Sequence, residues 1–218
     1  MMTSAKQPLI RIHGIAPYDR SGKIRWLLTE LGIDFENRWL NHETKEYDSL
    51  EFLKLNPLGR VPVMEIGGRP MFESGAICAY LADRYLDRGL APPLSSPERL
   101  DYQQWLYFAA STVDTFQTRI MIIEDIPPGG VQAEKETSLL ADFRDGLGAL
   151  DLVLAKNSYL VANRFSTADI CVGYHLYWCK LWPELAAILQ LFPQIDSYLE
   201  RLKNLPSAIK SEVFSYSA

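Results

Sequence analysis

The 218-residue sequence contains few residues that could hold a metal or cross-link the chain. It has only 3 cysteines and 3 histidines. Cys78, Cys171 and Cys179 are odd in number and far apart, which argues against a disulfide framework or a zinc cage, and the histidines lie at no metal-ligand spacing. We therefore predict that the protein has no metal site, and we interpret the cysteines as small buried apolar residues.

Positive charge and long apolar runs are also lacking. The sequence has 22 Lys and Arg residues and 27 Asp and Glu residues, which gives a net charge of −5. It lacks the cluster of basic residues that would indicate a nucleic-acid partner. No apolar run approaches the roughly 20 residues that a membrane helix needs, and the first eight residues lack the apolar region of a signal peptide. We predict a cytoplasmic protein that binds neither nucleic acid nor membrane.

The first part of the chain alternates short strands with helices. Residues 9–13 alternate like a strand, and the helical spacing of residues 23–32 ends at a glycine. Two short runs joined by Gly67 and Gly68 read as a β-hairpin, and Pro70 places the second of them at a sheet edge. With a strand at 35–40, a short helix at 47–56 and a helix at 74–86, the order is β-α-β-α-β-β-α. This order predicts an α/β layer architecture.

The composition changes sharply after this region. A segment rich in proline and small polar residues, 88–97, reads as a linker, and apolar residues at 3-4 spacing continue beyond it. We predict an α/β domain at 1–87, the linker at 88–97 and an all-helical domain at 98–218. The sequence IPPGG at 126–130 is expected to separate the first two long helices of the second domain.

Pro62 opens one of the predicted strands, although proline cannot donate a ladder hydrogen bond. An X-Pro bond is cis in about 5–6% of folded cases, and a cis bond here would turn the main-chain groups of Val61 outward. Those groups could then pair with a peptide ligand as an added strand does. The alternative is an ordinary proline on an edge strand.

Glu73 and Ser74 stand immediately before the helical run that follows the hairpin. Ser74 suits an N-cap, but the first amides of the helix also form an anion site, which a ligand carboxylate could take together with the Ser74 hydroxyl. Glu73 suits a ligand ammonium, so the pair could clamp the zwitterionic end of an amino acid. Read alone, Glu73 could equally be a solvated charge.

Three stretches together resemble the glutathione transferase superfamily. They are NPLGRVPVMEIGGRPMFESGAICAYLADRY at 56–85, LGALDLVLAKNSYLVANRFSTADICVGYHLYW at 147–178 and IRWLLTELGIDFE at 24–36. The resemblance implies a thioredoxin-like N-terminal domain followed by an all-helical C-terminal domain, with glutathione as co-substrate.

The resemblance also assigns roles in glutathione binding. Val61, beside the cis Pro62, pairs its backbone with the cysteinyl part of glutathione, and Glu73 with Ser74 holds the γ-glutamyl end. Arg60 lies near the tripeptide backbone or the glycyl carboxylate, and His42 or Lys54 is the alternative for that carboxylate.

In the second stretch, Ser166 and Asp169 match the N-capping box of a buried helix, a folding element with no catalytic role. Removing the cap is expected to cost about 0.5–2 kcal/mol.

Thiol activation in this superfamily depends on the loop GIAPYDRSGK, residues 14–23. The catalytic position of the tyrosine type falls on Gly14, so that class is not supported. The loop contains no cysteine, which argues against the mixed-disulfide mechanism of the cysteine type. Serine- and cysteine-type relatives point to Tyr18 or a residue close to it. Tyr18 and Ser21 are therefore the candidate catalytic residues, backbone amides are a third possibility, and Arg20 could add positive potential.

We expect the second substrate, a small hydrophobic electrophile or a hydroperoxide, to bind between the domains. The candidate lining residues are Trp105, Phe108 and Thr112, whereas Trp178 and Trp182 read as core or interface residues. A twofold homodimer is expected by analogy with the family. The alternative function is a non-catalytic glutathione-binding or interaction protein on the same fold.

Overall fold

A computed structural model describes residues 9–15, 19–124 and 131–215, without the side chains of 120–124 and 131–137. The strands are β1 (Ile10–Gly14), β2 (Glu36–Trp39), β3 (Val63–Ile66) and β4 (Arg69–Phe72). The helices of the first half are α1 (Gly22–Leu31), α2 (Leu50–Leu53) and α3 (Ser74–Arg84). Those of the second half are α4 (Glu98–Tyr107), α5 (Asp114–Glu124), α6 (Val131–Leu154), α7 (Thr167–Cys179), α8 (Pro183–Leu189), α9 (Pro193–Lys203) and α10 (Pro206–Ser211). The predicted fold class, a thioredoxin-like domain followed by helices, is therefore confirmed.

The four strands form one mixed sheet in the order β2-β1-β3-β4. β1 pairs with β2 in parallel, which requires the α1 crossover, whereas β1–β3 and β3–β4 are antiparallel. Pro70 lies on β4 at the sheet edge, as predicted, where its missing N–H costs no ladder bond.

The two halves share one apolar core. α1 contributes buried Ile24, Trp26 and Leu28, which belong to the same cluster as Tyr174 and other residues of α7. Polar contacts also cross this junction, because the Tyr174 hydroxyl donates to the Asp19 carbonyl at 2.6 Å. The start of α1 is therefore fixed against the helical half.

Helix α5 continues from α4 through a π-helical stretch, Phe108–Val113. Its widened turn is visible where the Asp114 N–H donates to the Ala109 carbonyl, five residues earlier. Such a turn shifts all later side chains around the helix relative to a regular 3.6-residue repeat. This shift affects which residues of α5 face the first domain.

The boundary region has α3 and a short 3-10 helix, Leu86–Arg88, before it, and α4 after it. Across it, Arg99 of α4 forms a bidentate ion pair with Asp83 of α3, with both N···O distances at 2.7 Å. The predicted helix break at 126–130 lies outside the described residues. No helix in the described ranges is both long and apolar enough to cross a membrane.

Candidate glutathione-binding and catalytic site

A cavity of about 380 Å³ lies between the loop before β3, the start of α3 and α5. Five of its lining residues are the five predicted from the sequence to bind glutathione, namely Arg60, Val61, Pro62, Glu73 and Ser74. The structure therefore gathers residues from the end of one loop and the start of a helix into one site. The sequence alternatives His42 and Lys54 do not line it, and the ring of His42 stacks on Tyr47 instead.

The Val61 main chain is open to a partner. The Val61–Pro62 bond is cis, and the sheet ladders begin only at Val63. Within the described ranges, neither the N–H nor the C=O of Val61 forms a backbone hydrogen bond. Buried Asn56 fixes the loop, because its side-chain N–H donates to the Arg60 carbonyl at 2.6 Å. The pair is thus available to an extended peptide lying along it.

Glu73 holds an unusual backbone conformation at the start of α3. Its φ of 69° and ψ of 100° are rare for a residue with a side chain. Such a conformation costs about 1–3 kcal/mol and persists only where the surroundings impose it, as they do at many ligand sites. Glu73 is exposed, and its carboxylate has no ion pair in the described part of the chain.

Ser74 is the first residue of α3, and Glu73 stands at the cap position, so the predicted Ser74 cap is displaced by one residue. The Ser74 side chain is buried, and among the described residues its hydroxyl has no hydrogen-bond partner. The first α3 amides lie beside it, because intrahelical bonding begins with the Ile77 N–H to the Glu73 carbonyl. A hydroxyl and unsatisfied amides at a helix start together suit a carboxylate.

Helix α5 covers the cavity from the helical half. Asp114, Thr115, Thr118 and Arg119 line it, and sequence reasoning did not find them. The Arg119 guanidinium has no ion pair in the described ranges, so the cavity holds a cation besides Arg60 that is open to an anionic group.

An ion pair joins the two halves at the edge of the cavity. Arg20 donates to both carboxylate oxygens of Asp114, with the shortest N···O distance at 2.6 Å, and also to the Thr118 hydroxyl. Burial alone would raise the pKa of Asp114, but His175, which is charged only at low pH, and Arg20 outweigh it and lower the pKa to about 2. Asp114 is therefore ionised at neutral pH and holds the Arg20 guanidinium in place.

A second cavity of about 250 Å³ adjoins the first. Arg20, Val61 and Asp114 line both cavities, so the two adjoin at these three residues. The remaining lining residues are Ile15, Asp19, Gln117, Tyr174, His175 and Trp178. Trp178 therefore faces a cavity as well as the core against which it packs, which the sequence interpretation did not anticipate.

The residues predicted to line the electrophile pocket have other surroundings in the structure than these two cavities. Trp105 is buried and packs edge-to-face on Phe108, with ring centroids 5.1 Å apart. Thr112 and Phe108 lie beside Gly146 of α6, where an added Cβ would come 3.3 Å from the Thr112 methyl. None of the three lines either of the two cavities.

Of the two candidate catalytic hydroxyls, the described residues include only Ser21. Its side chain is 0% exposed, and its hydroxyl donates to the Asp19 carboxylate and accepts from Arg25. Ser21 lines neither cavity, and although it is the cap residue of α1, its side chain makes no cap bond. Tyr18 lies outside the described residues.

Gly14 leaves no room for the catalytic residue of the tyrosine type. A Cβ at this position would lie 2.7 Å from the Ser21 hydroxyl oxygen and 2.9 Å from an Asp19 carboxylate oxygen. Contacts below about 3 Å require the surroundings to shift, which is costly in a packed site.

Ser166 and Asp169 form a capping box at the start of α7. The Ser166 N–H donates to the Asp169 carboxylate at 2.8 Å, and the Leu160 N–H and Tyr198 hydroxyl add further bonds. Burial raises the pKa of Asp169 to about 6, although these hydrogen bonds oppose the rise. The box lies away from both cavities and shapes the fold.

Comparison with known proteins agrees with this geometry. Residues 12–83 match the family described as "Glutathione S-transferase, N-terminal domain", and residues 108–201 match "Glutathione S-transferase, C-terminal domain". Glutathione S-transferase 1 of Schizosaccharomyces pombe is 33% identical over 166 residues, 72% of this chain and 69% of that protein. The chain belongs to the glutathione S-transferase family.

Other relatives are elongation factor 1-gamma proteins. Elongation factor 1-gamma of Prunus avium is 32% identical over 185 residues, which are 81% of this chain but 40% of that protein. The chain thus spans well under half the length of the elongation factor 1-gamma proteins it matches. Among solved structures, the glutathione transferase URE2P6 from Phanerochaete chrysosporium, in complex with oxidized glutathione, has a TM-score of 0.82 at 24% identity. That alignment covers 99% of this chain and 100% of the other, and it supports the fold.

Proposed function

We propose that the protein is a glutathione transferase that binds glutathione in the first cavity and an electrophile in the second. The observation that carries the proposal is that the two cavities share Val61, whose main chain has no backbone hydrogen bond in the described ranges. A tripeptide whose cysteinyl residue pairs with Val61 would bring its sulfur to where the two cavities adjoin, within reach of a second substrate.

The first cavity matches the charges of glutathione. The γ-glutamyl end carries a carboxylate for the Ser74 hydroxyl and the α3 amides, and an ammonium for Glu73. The glycyl carboxylate would face Arg60 or Arg119, which line the same cavity. The oxidized glutathione in the solved structure of the URE2P6 transferase supports the same ligand class.

Activation of the thiol requires stabilisation of the thiolate. A pKa reduction of about two units corresponds to roughly 2.7 kcal/mol of preferential thiolate binding. Arg20 lines both cavities and supplies positive potential. The Ser21 hydroxyl proton is already donated to Asp19, which favours Tyr18 or a backbone amide of the same loop as the direct donor to sulfur. Tyr18 and Ser21 remain the two alternative catalytic residues, and we favour Tyr18.

The electrophile would lie against Ile15, Tyr174 and Trp178 in the second cavity. Trp105, Phe108 and Thr112 would then have a packing role within the helical half. We also propose that the protein is cytoplasmic and acts in detoxification. The three cysteines are free thiols, which suits a reducing compartment.

The test is a panel of conjugation and peroxide-reduction reactions with glutathione. We expect turnover of at least one electrophile or hydroperoxide, lost when glutathione is omitted. Binding of glutathione without turnover across the panel would favour the alternative, a non-catalytic binding or interaction protein. The elongation factor 1-gamma relatives are the reason to keep that alternative.

We also propose a twofold homodimer, the commonest closed oligomer. Light scattering at micromolar concentration should give twice the chain mass of 24.8 kDa. A mass equal to that of one chain at every concentration would contradict this part of the proposal.

A further inference from the structure

Two buried polar residues line the second cavity together with aromatic ones. Gln117 and His175 are only 4% and 2% exposed. Tyr174 and Trp178 line the same cavity with ring centroids 6.0 Å apart. A buried amide in a cavity that also contains aromatic rings could recognise one polar group of a largely apolar ligand.

Lys23 determines which tautomer the His175 imidazole adopts. The Lys23 side chain is 1% exposed, and its Nζ lies 2.6 Å from His175 Nε2. An ammonium can only donate, so Nε2 accepts and the imidazole proton resides on Nδ1. The environment of Nδ1 agrees, because the carboxylate oxygen Asp114 Oδ1, which is an acceptor, lies 3.7 Å from it.

The tautomer of His175 in turn fixes the orientation of the Gln117 amide. The Nδ1–H requires an oxygen opposite it, so Gln117 Oε1 faces His175 and the Gln117 NH₂ group faces the other way. In the described part of the chain, that NH₂ group has no hydrogen-bond acceptor. Because Gln117 lines the second cavity, this donor is available to an acceptor atom of a ligand bound there.

We infer that Gln117, held by Lys23 through His175, is a specificity-determining residue that presents N–H donors to an acceptor oxygen of the second substrate. The substrate class that fits is an electrophile with a carbonyl conjugated to the reacting carbon, that is, an α,β-unsaturated ketone or aldehyde. This inference rests on the proposed function, because the second cavity is taken as the electrophile site.

The chemistry is an addition with no leaving group. The glutathione thiolate attacks the β-carbon and forms a C–S bond, and the C=C electron pair moves to place negative charge on the carbonyl oxygen. The Gln117 N–H would stabilise that oxygen, as donors do for oxyanions elsewhere. A proton from solvent, equivalent to the one the thiol lost, then reaches the α-carbon, so nothing is oxidised or reduced.

The first experiment measures binding and needs no turnover. The probes are 4-phenylbutan-2-one and butylbenzene, which differ mainly in the carbonyl, titrated into the wild type while Trp fluorescence is followed. Without a donor the ketone should bind more weakly, because its oxygen must leave water. We expect the ketone to bind at least as tightly as the hydrocarbon. A hydrocarbon bound tenfold more tightly than the ketone would overturn the inference.

The second experiment uses Gln117→Met, which keeps the length of the side chain and removes both donors. We expect ketone affinity to fall about tenfold while hydrocarbon affinity changes less than twofold. With glutathione, kcat/KM for 4-phenylbut-3-en-2-one should fall about 100-fold, and kcat/KM for benzyl chloride less than threefold. Equal changes for the two electrophiles, or none, would overturn the inference.

Lys23→Met tests the role of the buried lysine as a positioning residue. Without the Lys23 ammonium, His175 can change tautomer, and the Gln117 side-chain amide can rotate so that its oxygen and nitrogen exchange places. We expect the preference for the unsaturated ketone over benzyl chloride to shrink at least fivefold. An unchanged preference would refute the role of Lys23. If neither electrophile is turned over but the ketone still binds through Gln117, the proposed function fails and the inferred donor site stands.

Discussion

The backbone conformation and the charge of Glu73 can be separated by two substitutions at that position. Its φ of 69° is strained for a residue with a Cβ, whereas glycine adopts positive φ without a steric penalty. Glu73→Gly therefore removes both the strain and the carboxylate. Glu73→Gln is the matched control, because it keeps the Cβ and the strain and removes only the charge.

The expected effects of Glu73→Gly on stability and on binding have opposite signs. Relief of strain gains about 1–3 kcal/mol, and the extra backbone entropy of unfolded glycine offsets about 0.5–1 kcal/mol of it. The free energy of unfolding should thus rise by up to about 2 kcal/mol, while glutathione affinity falls at least tenfold, about 1.4 kcal/mol. Glu73→Gln should lose affinity to a similar degree with unfolding unchanged within about 0.5 kcal/mol.

Urea denaturation and calorimetric titration with glutathione measure the two quantities on the same protein samples. A loss of more than about 1 kcal/mol of stability in Glu73→Gly would show that the conformation is not strained. Wild-type affinity in both variants would show that the Glu73 carboxylate does not hold the ammonium of the ligand.

Three further predictions test other parts of the structure. Asp114→Asn should lower the free energy of unfolding at pH 7 by at most about 2 kcal/mol. The Asp114 pKa is depressed from 3.8 to about 2, so the stability that the ionised carboxylate contributes is complete above pH 3.8 and is lost as the pH falls toward 2. If wild type and Asp114→Asn still differ in unfolding free energy at pH 3 by as much as at pH 7, this prediction is wrong. Gly22→Ala would place a Cβ 2.2 Å from the Tyr174 hydroxyl, so it should cost about 1–3 kcal/mol in thermal or chemical unfolding, and wild-type stability would mean that this contact is loose. Tyr18→Phe should raise the pKa of bound glutathione, followed by thiolate absorbance at 240 nm, by about one unit or more, whereas Ser21→Ala should mainly lower stability; the reverse pattern would reassign the catalytic hydroxyl to Ser21.

The sequence was sufficient to predict the local features of the first half. The first strand, the Gly67–Gly68 turn and the edge position of Pro70 are all set by residues close together in the chain, and the structure has each of them. The five predicted glutathione residues also meet in one cavity. They come from two short segments that the β3–β4 hairpin brings side by side, so their proximity follows from local structure.

The contribution of α5 could not be predicted in the same way. Asp114, Gln117 and Arg119 reach the cavities because of how the helical half packs on the first half, which depends on contacts distant in sequence. The π-helical stretch before α5 also shifts its side chains away from the regular helical pattern. This explains why Trp105, Phe108 and Thr112 looked equally suitable as lining residues.

The central claim is that the open main chain at Val61, with Glu73 and Ser74 beside it, holds glutathione. Calorimetric titration of the wild-type protein with glutathione, repeated with Ser74→Ala, tests it most directly. We expect a one-to-one complex with a dissociation constant below about 1 mM, weakened at least tenfold by the substitution. No heat of binding at several times that concentration, or equal affinity in the two proteins, would contradict the account.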